Sequence, residues 1–423
     1  MSAGASDVMS VKAVRPALFL ALTLVSLYVS QGIIAGFTFG AVPALLRKQG
    51  MSLEQIGLMT LALLPWAFSF AVAPVVDRYK LAGRTHRRSW IIPMQLLLPP
   101  VMLVLAYQFS ASHFATIMAL TFAIGLLAAV SDVAAHGLAI EQLSPSQRSW
   151  GNGLQVGGYW VGSLFSGGAI LMLQPLIGTF NAIALLSLAL LPILVPVTLY
   201  PEGAEKPRAA LERHSPSIRH FLRRSSAWPM LLLILLVDLG RAAAMGMQGP
   251  FLVDVGFTLT EIGLLRGTIG VAAGLIGSVL GSALVAKLRR DQALRLLTTL
   301  QAVAFGAYAY AVATGYHPFW LLSGIFAFEY CAFSATIVAL YAFIMDNCSP
   351  EQAGTDFTLQ YCFGNFVVIT GGALSGYSVA AIGYMGHFVL CFAICAAAAL
   401  VTPFLYRCIA ATPDTTTAGS GAA

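Results

Sequence analysis

The stretch QGMSLEQIGLM at 49–59 returns as VGFTLTEIGLL at 255–265, and QLSPSQRSWGNGLQ at 142–155 returns as NCSPEQAGTDFTLQ at 347–360. The two offsets, 206 and 205, are close to half of the 423 residues. Two separate segments sharing nearly one offset predict a chain made of two parallel copies of one unit. Composition says what that unit is made of. Apolar residues are 58% of the chain and charged residues 9%, against about 25% charged in soluble domains, so the chain reads as a membrane protein.

Four runs, 16–46, 55–76, 149–201 and 357–406, carry no Asp, Glu, Lys or Arg. A crossing needs about 20 residues, so the shorter runs suit one helix and the runs of about 50 suit two. With Gly, Pro and charge clusters as punctuation, twelve helices are expected, centred near 30, 65, 99, 128, 161, 188, 241, 275, 303, 331, 367 and 396. The fold class is all-α and polytopic: a six-helix half over 1–200, a charged linker over 201–227, a second six-helix half over 228–410 and a disordered tail over 411–423. The polar opening MSAGASDVMSVKAVR leads into a full-length apolar span without a clear small-residue cleavage site, so the first helix is expected to be retained.

All but four of the 23 Lys and Arg fall on one side of this pattern. Basic short loops stay in the cytoplasm, which places both termini there; Arg47 and Lys48 lie opposite, and Arg241 and Arg266 lie at or within the membrane. Topology thus accounts for the net charge of +6, with no nucleic-acid partner needed. The six cysteines, at 331, 348, 362, 391, 395 and 408, form no paired-ligand pattern. There is no nucleotide-binding loop and no His-rich metal motif, so neither enzyme chemistry nor a cofactor is expected.

Twelve helices in two parallel halves with a charged central loop resemble the major facilitator superfamily. APVVDRYKLAGRTHRRSW, after the second helix, resembles that superfamily's loop motif G-x-x-x-D-R-x-G-R-R through Asp77, Arg78, Gly83, Arg84, Arg87 and Arg88. The first glycine is replaced by Ala73 or Pro74, and the second-half copy, GSALVAKLRRD, has Ala286 where Asp77 would recur. An acid and several bases at a helix end can pair across the seam between halves and bias the gate, or can simply anchor the loop in the cytoplasm.

SDVAAHGLAIEQLSPSQRSWGNGLQVGGYWVGSLFSGG at 131–168 is similar to a stretch of the AmpG-like muropeptide permeases and their relatives, the RhtX/FptX group of siderophore importers. Asp132, His136 and Glu141 fall on the family's three acids. His136 replaces an acid, and Trp160 stands where the muropeptide permeases carry Arg. The segments SLYVSQGIIAGFTFGAVPALLRKQGMS and LPWAFSFAVAPVVDRY resemble the siderophore branch. The resemblance implies an inner-membrane importer of a ferric siderophore of the pyochelin or rhizobactin type, working by alternating access with proton symport. A muropeptide permease or a drug or metabolite exporter is the alternative, and a transport-like sensor or a lipid scramblase the reading from outside transport.

An ionisable side chain near the bilayer centre costs on the order of 3 kcal/mol, so such groups face a cavity and pair. Asp132, Asp238, Arg241 and Glu329 all lie about ten residues, or about 15 Å, from a helix end, and the resemblance puts their helices around a central cavity, where Tyr28 and Gln31 of the first helix join them. Asp238 and Arg241, at i and i+3, share a face and serve either as a structural salt bridge or in cargo binding or coupling. An acid whose proton affinity differs between inward and outward states can carry the transported proton. His136, one turn from Asp132, is a candidate for a relay or a hydrogen-bonded structural residue. Arg266 either attracts an anionic cargo or snorkels to the interface.

Overall fold

The computed structural model describes residues 4–81, 86–143, 148–200, 218–348 and 353–410. Among these, the regular structure is entirely helical. Eight stretches are single crossings by length and composition: α1 (Leu18–Lys48), α2 (Leu53–Arg78), α3 (His86–Gln108), α4 (Phe114–Gln142), α7 (Ala227–Asp254), α8 (Leu259–Lys287), α9 (Arg290–Thr314) and α10 (Phe319–Asp346). Two more, Leu154–Leu199 and Thr355–Ile409, run for 46 and 55 residues, about 70 and 80 Å as straight helices against a hydrocarbon core of about 30 Å.

Each long stretch breaks at one glycine, Gly178 (φ 80°, ψ 163°) and Gly383 (φ 68°, ψ 173°), a backbone region that only glycine enters without strain. The chain folds back there. Ser378 Oγ and His387 Nδ1 meet at 2.6 Å, although residues nine apart on a straight helix stand about 13.5 Å apart along the axis. The arms are α5 (154–177), α6 (179–199), α11 (355–382) and α12 (384–409), which completes the twelve expected crossings. The linker through residue 217 and the tail from 411 lie outside the described residues.

The repeat recurs in the backbone. Ser52 caps the start of α2 by accepting from Gln55 N (3.3 Å), and Thr258 caps α8 by accepting from Glu261 N (3.2 Å). The two breaking glycines stand 205 positions apart, the offset of the second sequence match. Both halves are held by close helix approach, as befits a membrane where packing rather than water exclusion joins helices. A Cβ on Gly32 of α1 would stand 2.0 Å from the Tyr159 carbonyl oxygen of α5, and one on Gly277 of α8 would stand 2.2 Å from that of Cys331 in α10.

The halves meet through α2 on α11 and α5 on α8. Because the repeat maps α2 onto α8 and α5 onto α11, these are one interface used twice. Both are sealed by backbone contact on the side of the membrane that carries Arg47. A Cβ on Gly376 (α11) would fall 2.0 Å from the Leu53 carbonyl oxygen (α2), and one on Gly168 (α5) 2.4 Å from Gly267 Cα (α8). Thr60 adds a hydrogen bond to the Ile369 carbonyl at 2.9 Å. Toward the Asp77 side, α2 and α11 touch through side chains instead: Ser69 with Cys362 at 3.4 Å, and Phe68 edge-on to Phe366 at 6.4 Å. Three π-helical turns, Gly36–Ala41 in α1, Leu164–Ala169 in α5 and Leu265–Ile269 in α8, lie along the sealed seam; such widened turns re-aim side chains and recur at functional positions.

Candidate transport site

The intramembrane charges do not gather in one cluster. Asp132 lies ten residues from the Asp77-side end of α4, whereas Glu329 lies ten residues from the opposite end of α10. With helices of 28 and 29 residues, that leaves the two acids roughly 12 Å apart in depth, one on each side of the midplane. The expectation of a single cavity holding Asp132, Asp238, Arg241 and Glu329 is therefore corrected to three layers.

In the first layer Trp66 Nε1 donates to Asp132 Oδ2 at 3.0 Å. The Gln31 carboxamide stands beside the same carboxylate. His136 does not bond to Asp132 here; Gln155 donates to its Nε2 at 3.1 Å, and the Tyr28 ring lies 6.1 Å away. Trp66 and Gln155 are additions to the sequence reading. Gln155 carried a signal, since it closes the second repeat match and its equivalent, Gln360, lines the next layer.

The second layer answers why an acid and a guanidinium sit in the apolar run of α7. Arg241 Nη2 donates to Asp238 Oδ1 at 2.9 Å, with both residues 5% exposed. The guanidinium also lies over the Phe333 ring, 4.6 Å from its centroid, so it is neutralised and stacked at once. The pair borders a cavity of about 30 Å³, room for about one water, together with Tyr341, Gln360, Tyr361 and Asn365.

In the third layer, on the sealed side, Gln248 Nε2 donates to Glu329 Oε2 at 3.1 Å. Arg266 reaches the same depth from α8 and is 6% exposed, so it is enclosed by protein rather than snorkelling outward. Above this layer Arg47 forks onto Asp254, with Nε to Oδ1 at 2.6 Å and Nη2 to Oδ2 at 2.7 Å. Tyr384 donates to the same carboxylate at 2.7 Å. This bidentate link ties the end of α1 to α7 and α12, joining the two halves. From sequence, Arg47 was only a marker of the sparsely charged side.

Among the described residues, the ion pairs of the loop motif lie within the first half. Arg87 Nη1 meets Asp77 Oδ1 at 2.5 Å and Nη2 meets Glu141 Oε1 at 2.7 Å, so it clamps the ends of α2, α3 and α4 inside the first half. Arg290 makes the equivalent link in the second half, to Asp346 at 2.7 Å and to the Val285 carbonyl at 2.6 Å; Asp346 is the repeat equivalent of Glu141. Arg88 donates to the carbonyls of Thr198 and Tyr200 at the end of α6. Arg78 is exposed beside Tyr79, and Arg84 lies outside the described residues.

Two helical halves joined by two equivalent interfaces around layered polar groups, and sealed on one face, have the architecture of a membrane carrier. The chain belongs to the Major Facilitator Superfamily, whose family model matches residues 24–368, and is a secondary transporter of that superfamily. It is 27% identical over 373 residues to the anhydromuropeptide permease of Escherichia coli K12, covering 87% of this chain and 75% of the relative. It is 22% identical over 395 residues to the putative transporter AmpG 4 of Rickettsia felis, covering 89% and 95%. Among solved structures, a bacterial homologue of the human lysosomal transporter Spinster superposes with a TM-score of 0.69 at 16% identity, covering 94% and 97% of the two chains. The nucleoside transporter NupG superposes at 0.71 with 11% identity, covering 92% and 100%; at such identity these show the fold. These relatives match the muropeptide alternative of the sequence reading rather than its siderophore reading.

Proposed function

We propose that this chain is a permease for anhydromuropeptides, importing a sugar–peptide from periplasm to cytoplasm across a bacterial inner membrane. The observation that carries the reading is the likeness to a curated anhydromuropeptide permease over 87% of the chain, long enough to take in both halves and all three polar layers. The basic bias places the Asp77 side in the cytoplasm, so a seam sealed at Arg47–Asp254 closes the periplasmic face. Cargo then leaves past the second and first layers. Asp132 is the coupling acid in this account, because it borders the exit path on a pair of neutral partners, Trp66 and Gln31, with no fixed cation beside it among the described residues. Trp160, where the muropeptide permeases carry Arg, packs between the halves: a Cβ on Gly274 would lie 2.4 Å from its Cζ2. Any cation that greets an anionic cargo must therefore stand elsewhere in this chain.

The test is uptake of radiolabelled anhydromuropeptide by cells lacking their own inner-membrane permease, with and without this protein. Protein-dependent uptake that collapses on adding a protonophore is the expected result. Uptake that does not depend on the protein, in cells shown to make it, would remove the cargo assignment.

A further inference from the structure

We propose that Arg266, with Gln248 beside it, is a subsite for the carboxylate-bearing C-terminal residue of a peptide, over which the Arg47-side seam closes. The proposal rests on the muropeptide reading for its natural cargo. Arg266 is 6% exposed, yet its Nε and Nη2 have no hydrogen-bond partner, and Nη1 makes only a long 3.5 Å contact with the Tyr330 hydroxyl. No carboxylate hydrogen-bonds to it among the described residues: Glu329, the acid of its layer, stands near enough for the two charges to interact but is bonded to Gln248 instead. Buried N–H groups are ordinarily bonded, so this fork is built for a partner that the described residues do not supply.

The surroundings say what kind of partner. Glycines face the fork from both halves: a Cβ on Gly40 of α1 would stand 3.7 Å from Nη1, and one on Gly249 of α7 3.6 Å from Nη2. Bare backbone at both places brings no side chain onto the planar donor edge from these two glycines, and that edge matches a carboxylate with two parallel hydrogen bonds. Gln248, next in sequence to Gly249, has its Oε1 unpartnered, an acceptor suited to an amide N–H. A carboxylate with an N–H one carbon away is the end of a peptide chain. The π turn Leu265–Ile269 carries Arg266 and re-aims it toward α1 and α7. These two helices are joined at the Arg47–Asp254 link, so parting that seam exposes the fork to the Arg47 side. Closing without an anion strands a desolvated cation; closing on a carboxylate satisfies it. Arg266 thereby ties closure to loading, as a ligand that binds one state better must.

The test is thermal stabilisation of the purified protein by N-acetyl-alanyl-alanine and by its C-terminal amide. The wild type is expected to be stabilised by the acid and not by the amide. Arg266→Gln is expected to lose affinity for the acid by about 10- to 100-fold, the worth of a charge-assisted hydrogen bond. Arg266→Lys, which keeps the charge but not the fork, is expected to fall between the two and serves if the Gln variant does not fold. Equal stabilisation of the wild type by acid and amide, or an acid response unchanged in either variant, would overturn the proposal. Absence of anhydromuropeptide uptake alongside an intact acid preference would instead remove the cargo assignment and leave the subsite.

Discussion

Asp132→Asn is expected to abolish accumulation of cargo against a gradient while leaving downhill exchange of cargo across the membrane in place. The amide oxygen of Asn can still accept the Trp66 N–H, now at 3.0 Å to Asp132, so the contact between α2 and α4 survives. What is lost, under the coupling role proposed for Asp132, is the group that would gain and give up the proton. Accumulation should drop to that of cells without the protein, whereas counterflow between loaded compartments, which needs no net proton movement, should proceed. Measuring both in the same preparation separates loss of coupling from loss of folding. Accumulation at the wild-type level in Asp132→Asn would take coupling away from this residue.

Gly376→Val is expected to hold the Arg47-side seam open. A Cβ there would lie 2.0 Å from the Leu53 carbonyl oxygen, so α2 and α11 must part by roughly 1.5 Å to restore ordinary contact. The obstacle is backbone and cannot rotate away. Each half keeps its own packing, α1 on α5 and α7 on α11, so the protein should still fold, with transport at background. Thr60 is 7% exposed on the sealed side; a Thr60→Cys reporter should label with a water-soluble thiol reagent about tenfold faster in the Gly376→Val background, the shift that roughly 1.4 kcal/mol on the conformational equilibrium gives. Unchanged labelling together with normal transport would mean that the seam closes somewhere else.

Much of this architecture could be read from the residues because it rests on local rules. Uncharged runs fixed the crossings, and the doubled SLEQIG and TLTEIG segments marked the two capped helix starts that Ser52 and Thr258 form. The Asp238–Arg241 pair also follows from spacing, since i and i+3 on one helix must share a face. What could not be read depends on how helices are rotated and how deep they sit. Trp66 reaches Asp132 only because α2 turns that face toward α4. The Arg47–Asp254–Tyr384 link joins residues 207 and 130 positions apart, which no single-helix pattern connects. Glu329 was placed level with Asp132 because both lie ten residues from a helix end, but the ends in question face opposite sides of the membrane. Arg266 could not be assigned from sequence, because whether a lone arginine snorkels or stays enclosed is decided by the glycines of α1 and α7 that come to face it.

If this carrier moves anhydromuropeptide by alternating access, the purified protein in liposomes should show counterflow of that compound. Vesicles preloaded with unlabelled anhydromuropeptide should take up the labelled compound in a transient overshoot, which excess anhydromuropeptide outside abolishes and ferric pyochelin does not. No overshoot with anhydromuropeptide, or an overshoot of labelled ferric pyochelin in its place, would contradict the account.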